Sequence, residues 1–211
     1  MAWSTWLAFL LAATLIAVSP GPGAVTAMSA GLRHGYWAAL RAICGLQSAL
    51  LVQLAIVAAG LGALLSASTL AFNVMKFLGA GYLIWLGVQK WRDPPRAIGG
   101  DTVNGARGVG VRPRGLFMQG LLVNLTNPKA IVFMAALTPQ FIDPARPQWL
   151  QFIIIGATMC GVDTLVMSGY ALLAARLARW LRNPRAMQAQ NRFFGGVFVG
   201  AGVLLAASGR N

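Results

Sequence analysis

Apolar residues run along the chain in six blocks, near 3–31, 40–65, 69–89, 115–138, 149–175 and 191–208. The stretches between them gather Arg, Pro, Gly and Asn. A helix needs about 20 apolar residues to cross a hydrocarbon layer roughly 30 Å thick. The pattern therefore predicts an all-α membrane protein with six transmembrane helices. Two of the blocks are interrupted, the first by Ser19-Pro20-Gly21-Pro22-Gly23 and the fourth by Asn124-Leu125-Thr126-Asn127-Pro128-Lys129. Unpaired backbone is tolerated at bilayer depth only where protein or a polar cavity satisfies it, so paired breaks in helices 1 and 4 point to a solute pathway.

The six blocks fall into two similar sets of three. An offset of 116 residues lays Cys44-Gly45-Leu46-Gln47-Ser48 on Cys160-Gly161-Val162-Asp163-Thr164, and Lys76-Phe77-Leu78-Gly79-Ala80 on Arg192-Phe193-Phe194-Gly195-Gly196. An offset of 108 lays Pro20 on Pro128, the difference being absorbed by a longer linker in the second half. Three helices per half is an odd number, so the halves enter the membrane from opposite sides. The prediction is a 3+3 inverted repeat with its substrate site near the midplane. The whole chain, 1–211, reads as one transporter domain, with halves about 1–91 and 115–208 joined by a basic linker about 92–114. That linker mixes Pro94, Pro95, Gly99, Gly100 and Gly105 with basic residues, the composition of a mobile loop beside anionic headgroups.

Composition agrees. Hydrophobic residues make up 57% of 211 and charged ones 10%, with a mean hydropathy of +0.67, outside the range of soluble domains. The net charge of +13 would suggest nucleic acid in a soluble chain, but its distribution removes that reading. Arg33, Arg41, Lys90, Arg92, Arg96, Arg107, Arg112, Arg114, Arg176, Arg179, Arg182, Arg185 and Arg192 fall in linkers sharing one side; Arg146 and Arg210 fall on the other. Positive charge stays inside, which predicts three cytoplasmic linkers and periplasmic termini in a bacterial inner membrane. Trp3, Trp6 and Trp149 would mark the outer interface and Trp37, Trp91 and Trp180 the inner one, with Trp85 deeper and packed. No Lys or Arg precedes Arg33, so the first block lacks the basic start of a secretory signal and is read as a retained helix.

The candidate chemistry is sparse. Pro20 and Pro22 remove two amide donors, which frees carbonyls one turn earlier, around Ile16 and Val18. The half-helix beginning near Gly23 then offers N–H groups to an anion, and Gly21 and Gly23 let a ligand approach the backbone. Asn127, Pro128 and Lys129 repeat the device, with Asn124 one turn earlier. Asp163, the only carboxylate in any block, faces a partner or a wet cavity, because a charge at that depth costs about 2.5–3.5 kcal/mol. Three roles stay open for it: holding an ammonium group, carrying a coupling proton, or pairing structurally with Lys129 or Lys76. Gln47 is its counterpart in the first half. Gly196 and Gly200, flanked by Gly195 and Gly202, form a small-residue face for close packing within the chain or against a second copy. Cys44 and Cys160 belong to no metal or redox motif and are expected to be buried packing residues, and His34 stands alone in a loop. No cofactor or metal site and no catalytic constellation can be assembled.

The Pro20-Gly21-Pro22 segment, the run from Lys76 to Gly87 ending Tyr82-Leu83-Ile84-Trp85-Leu86-Gly87, and the block Asn124 to Lys129 followed by Pro139-Gln140-Phe141 resemble the LysE/RhtB family of amino-acid exporters. Its homoserine and homoserine lactone exporting branch is the most similar, and the likeness covers about residues 1–208. The resemblance implies proton-driven export of a small amino acid or its lactone, with homoserine, homoserine lactone and threonine as the expected substrates; membrane lipids at the basic linker and a second copy on the glycine face, forming a homodimer, are the other expected partners. Many relatives carry Asn directly after Pro-Gly-Pro. Here Gly23 stands there, which shifts emphasis from a side-chain ligand to the backbone. Two rivals remain: a transmembrane thiol–disulfide relay through Cys44 and Cys160, and a passive small-solute channel.

Overall fold

The protein is described from a computed structural model covering residues 1–67, 69–92, 115–143, 145–174 and 183–207, with the side chains of 61–73, 75, 76, 136 and 184 outside that description. Eight α-helices and no strand occur among the described residues: α1 Trp3–Val18, α2 Pro22–His34, α3 Tyr36–Ala67, α4 Thr69–Arg92, α5 Leu116–Leu125, α6 Pro128–Val132, α7 Gln148–Leu172 and α8 Pro184–Ala207. A π-helical turn, Phe133–Leu137, and a 3-10 turn, Thr138–Phe141, extend α6. The basic linker and the lysine and tryptophan expectations at Lys76 and Trp180 lie outside the described residues or side chains.

Both expected breaks are present. Pro22 opens α2 at 57° to α1, and Pro128 opens α6 at 53° to α5. Proline is well placed at the first helical position, where its missing N–H would have had no partner. Of the described helices, two are by themselves long and apolar enough to cross a membrane, Tyr36–Gly60 and Gln148–Leu172, and the two bent pairs bring the number to four if each is one span. That is fewer than the six expected. The first turns of α4 lie outside the described side chains and are not counted, and Arg185, Gln188, Gln190, Asn191 and Arg192 lower the hydropathy of α8.

Backbone approaches set by small residues bring the broken helices against the long ones. A Cβ on Gly45 would overlap the Phe117 carbonyl, and one on Gly120 the Ala42 carbonyl, so α3 and α5 touch main chain to main chain. A Cβ on Gly31 would come to 2.5 Å from the Ala171 oxygen, which seats α2 on α7. The helices α4 and α8 pair along their length. There the closest approaches are at Gly195 and Gly202, which face α4 at Gly87 and Ala80 respectively; Gly196 meets α4 only at the Trp91 ring, and Gly200 has nothing within 4 Å. Side chains at 195 and 202 lie two turns apart on one stripe, whereas 200 is rotated off it.

An apolar core built on Phe9, Phe133, Met134, Ile155 and Met159 joins α1, the π turn and α7. The exposed tryptophans Trp3, Trp37, Trp91 and Trp149 all stand within two residues of a helix end, as an interfacial belt requires. Trp85 departs from its expected packed role. It is 54% exposed and touches Tyr82 at a ring distance of 5.3 Å. Cys44 is likewise exposed rather than buried, because position 44 points away from the α3–α5 contact made by Gly45.

Candidate functional site

The two prolines of the first break leave the carbonyls of Ile16 and Val18 without their usual helical donors. Side chains from the second half supply replacements. Lys129 Nζ donates to Ile16 O over 2.7 Å and to Ser19 O over 2.5 Å, and Tyr170 Oη donates to Val18 O over 2.7 Å. The second break is served in the opposite direction. Pro128 frees the carbonyl of Asn124, and Gln53 of α3 donates to it over 2.9 Å. Each half therefore satisfies the broken backbone of the other.

Asn124 and Asn127, both 5% exposed, finish the second break. Asn127 Oδ1 caps α6 by accepting from the Lys129 backbone N–H (3.1 Å), while its Nδ2 donates to Asn124 Oδ1 (3.1 Å) and Asn124 Nδ2 donates to Leu46 O (2.9 Å). An Asn cap is among the strongest available. The net result is that the lysine's helix is aimed at the first break.

A cavity of about 50 Å³ lies between these elements, lined among others by Ser19, Gly23, Asn127, Lys129, Phe133 and Asp163. Gln47 Nε2 donates to Asp163 Oδ2 over 2.7 Å. Of the roles left open for Asp163, a direct pair with Lys129 is not made in this structure: Lys129 bonds carbonyls and Asp163 bonds an amide, while both line one cavity. The N–H groups of Gly23 and Ala24 precede the first α2 bond, Val25 to Gly21 O at 3.1 Å, and both residues line the cavity. Ser19 is 1% exposed and its hydroxyl oxygen has no partner. Buried polar atoms are rarely left so, and one that lines a cavity is available to a ligand.

The description of the LysE type translocator family matches residues 14–209 of the chain. This chain belongs to the LysE family. It is 47% identical over 208 residues to the homoserine/homoserine lactone efflux protein of Salmonella typhimurium, covering 99% of this chain and 98% of that one. It is also 45% identical to a membrane protein of Vibrio cholerae over 96% of this chain, and 30% identical to the leucine efflux protein of Enterobacter sp. over 94%. No solved structure matches it. As a LysE-family member it is a membrane translocator of the amino-acid exporting kind and not an enzyme.

In this LysE-family chain the breaks bring together Gly21, Gly23, Asn124, Asn127, Lys129 and Asp163, with Gln47 behind Asp163. Pro22 and Pro128 act as the first residues of α2 and α6. Pro20 lies against a second, mostly apolar hollow of about 300 Å³ with Val18, Val166, Tyr170, Gln190 and Phe194. Gln53 and Tyr170 were missed by reading the sequence. A signal existed: subtracting four from each proline names the freed carbonyls, and each then requires a donor. What the sequence does not name is which polar side chain arrives.

Proposed function

We propose that this protein is a secondary active exporter of small amino acids or their derivatives, homoserine and homoserine lactone first and threonine as a further candidate. It would work across the bacterial inner membrane, driven by protons. The names of the relatives support the substrate class. The observation that carries the mechanism is one cavity lined by a carboxylate, an ammonium, a free hydroxyl and unpaired helix-end N–H groups. An amino acid presents the complementary pair. Asp163 takes up the amine, the coupling proton or, as Lys129 is released, the lysine itself, and the start of α2 takes up the carboxylate. The lactone lacks a carboxylate, so the shared amine bears most of the recognition.

The same reading has the chain as one transporter domain of six crossings arranged as a 3+3 inverted repeat, with both termini periplasmic. The helices α4 and α8, 24 residues each, are about 36 Å long and suffice in length. Support for the symmetry comes from contacts. Gln47 and Asp163 differ by the offset of 116, and the donors Gln53 and Tyr170 differ by one more. Mates of a two-fold that touch each other must sit beside its axis. Gly200, Val203 and Leu204 on α8 are open to lipid or to a second copy.

Efflux from loaded cells or inside-out vesicles, measured over a panel of amino acids with and without an uncoupler, tests the proposal. Uncoupler-sensitive export of homoserine or its lactone is expected. Flux that persists without a gradient would instead favour the passive channel. The thiol relay is disfavoured by position, since neither Cys44 nor Cys160 lines the cavity.

A further inference from the structure

We infer that the carbonyls of Ile16 and Ser19 form a site for a primary ammonium group, occupied in this structure by the protein's own Lys129 and taken over by the amine of the substrate. The inference rests on the exporter reading and deepens it.

The α1 helix ends at Val18, so its last carbonyls carry the negative end of the helix dipole, the end that favours cations. Pro20 has removed the N–H that Ile16 O would accept, and the Ser19 carbonyl lies beyond the helix in the break. The two oxygens converge on one nitrogen, at 2.7 and 2.5 Å from Lys129 Nζ. An ammonium has three donors, and a geometry using two of them on backbone oxygens would suit any R–NH₃⁺ of similar reach. A third acceptor is at hand in the same cavity, the buried and unpartnered Ser19 hydroxyl. The cradle is also unobstructed at Gly21, where an added Cβ would stand 3.6 Å from Lys129 Nζ.

Lys129 is tethered there from the other half of the protein, and Asp163 in the same cavity offers it a second resting place. Exchange of Lys129 from the carbonyls to Asp163 would vacate the cradle for the substrate amine. Loading would then loosen a contact between the halves. Because homoserine and its lactone share only the amine as a charged group, a site for R–NH₃⁺ accepts both.

The full-length protein in detergent provides the test by thermal unfolding. In Lys129→Ala the vacated cradle should bind methylammonium, raising Tm by about 2–4 °C over an equal concentration of tetramethylammonium, while the unaltered protein shows no such difference. Absence of a methylammonium-specific shift in the variant, or an equal shift in both proteins, overturns the inference. Gly21→Ser supplies a check that does not depend on Lys129→Ala folding. Its hydroxyl would cap α2 and give Lys129 another acceptor, so Tm should rise while homoserine efflux slows at least about fivefold. A raised Tm with unchanged efflux shows that Lys129 need not leave and sinks the exchange. Absence of efflux by the unaltered protein would overturn the exporter reading alone, since the methylammonium response is read without transport.

Discussion

Gln47 donates from Nε2 to Asp163 Oδ2 over 2.7 Å although 116 positions separate them. That separation is the offset at which the two halves of the sequence align. The amide thus holds the one carboxylate of the spans at the seam between the halves, beside the cavity that both breaks line. A charge so placed can respond to what either half does.

Asp163→Asn keeps the shape of the side chain and can still accept from Gln47, while removing the charge. Export should fall to the level of cells lacking the protein, with insertion and thermal unfolding unchanged or improved, because a buried charge is costly in the membrane. Efflux assays beside size-exclusion profiles of the purified variant decide it, and normal export would remove Asp163 from the mechanism.

Gln53→Leu removes one of the two donors to the Asn124 carbonyl, leaving the Asn127 backbone N–H at 3.2 Å, in a site where Gln53 is 7% exposed. Losing one such hydrogen bond costs about 0.5–1.5 kcal/mol, so Tm should drop by a few degrees. Tyr170→Phe removes the donor to Val18 O at a more exposed place, where water can substitute, and its loss should be smaller. The reverse order of the two melting temperatures would contradict the capping roles.

Gly195→Leu should separate α4 from α8, since even its Cβ would lie 2.8 Å from the Gly87 oxygen. Gly200→Leu meets nothing within 4 Å and should leave the folded chain intact. Comparing expression and Tm of the pair measures this directly. Equal damage from both would mean that Gly200 is covered by another copy.

Cys44→Ser with Cys160→Ser is expected to export at close to the normal rate. Both thiols are free and stand away from the cavity. Loss of function in the double variant, with normal amounts in the membrane, would revive the relay.

The helices, both breaks and the identity of the freed carbonyls were legible in the sequence. Each follows from local rules: apolar runs long enough for a bilayer, and prolines that lack the N–H which the carbonyl four residues earlier would accept. The family was legible for the same reason, since its motifs sit at the breaks. Tertiary structure alone decided who answers each freed carbonyl, sending Lys129 to Ile16 and Ser19, Tyr170 to Val18 and Gln53 to Asn124, and leaving Asp163 to Gln47. It also turned Gly195 and Gly202, and not Gly200, onto the backbone of α4. Those choices depend on helix rotation and crossing, which are set by the summed packing of many distant side chains and leave no mark at any one position of the chain.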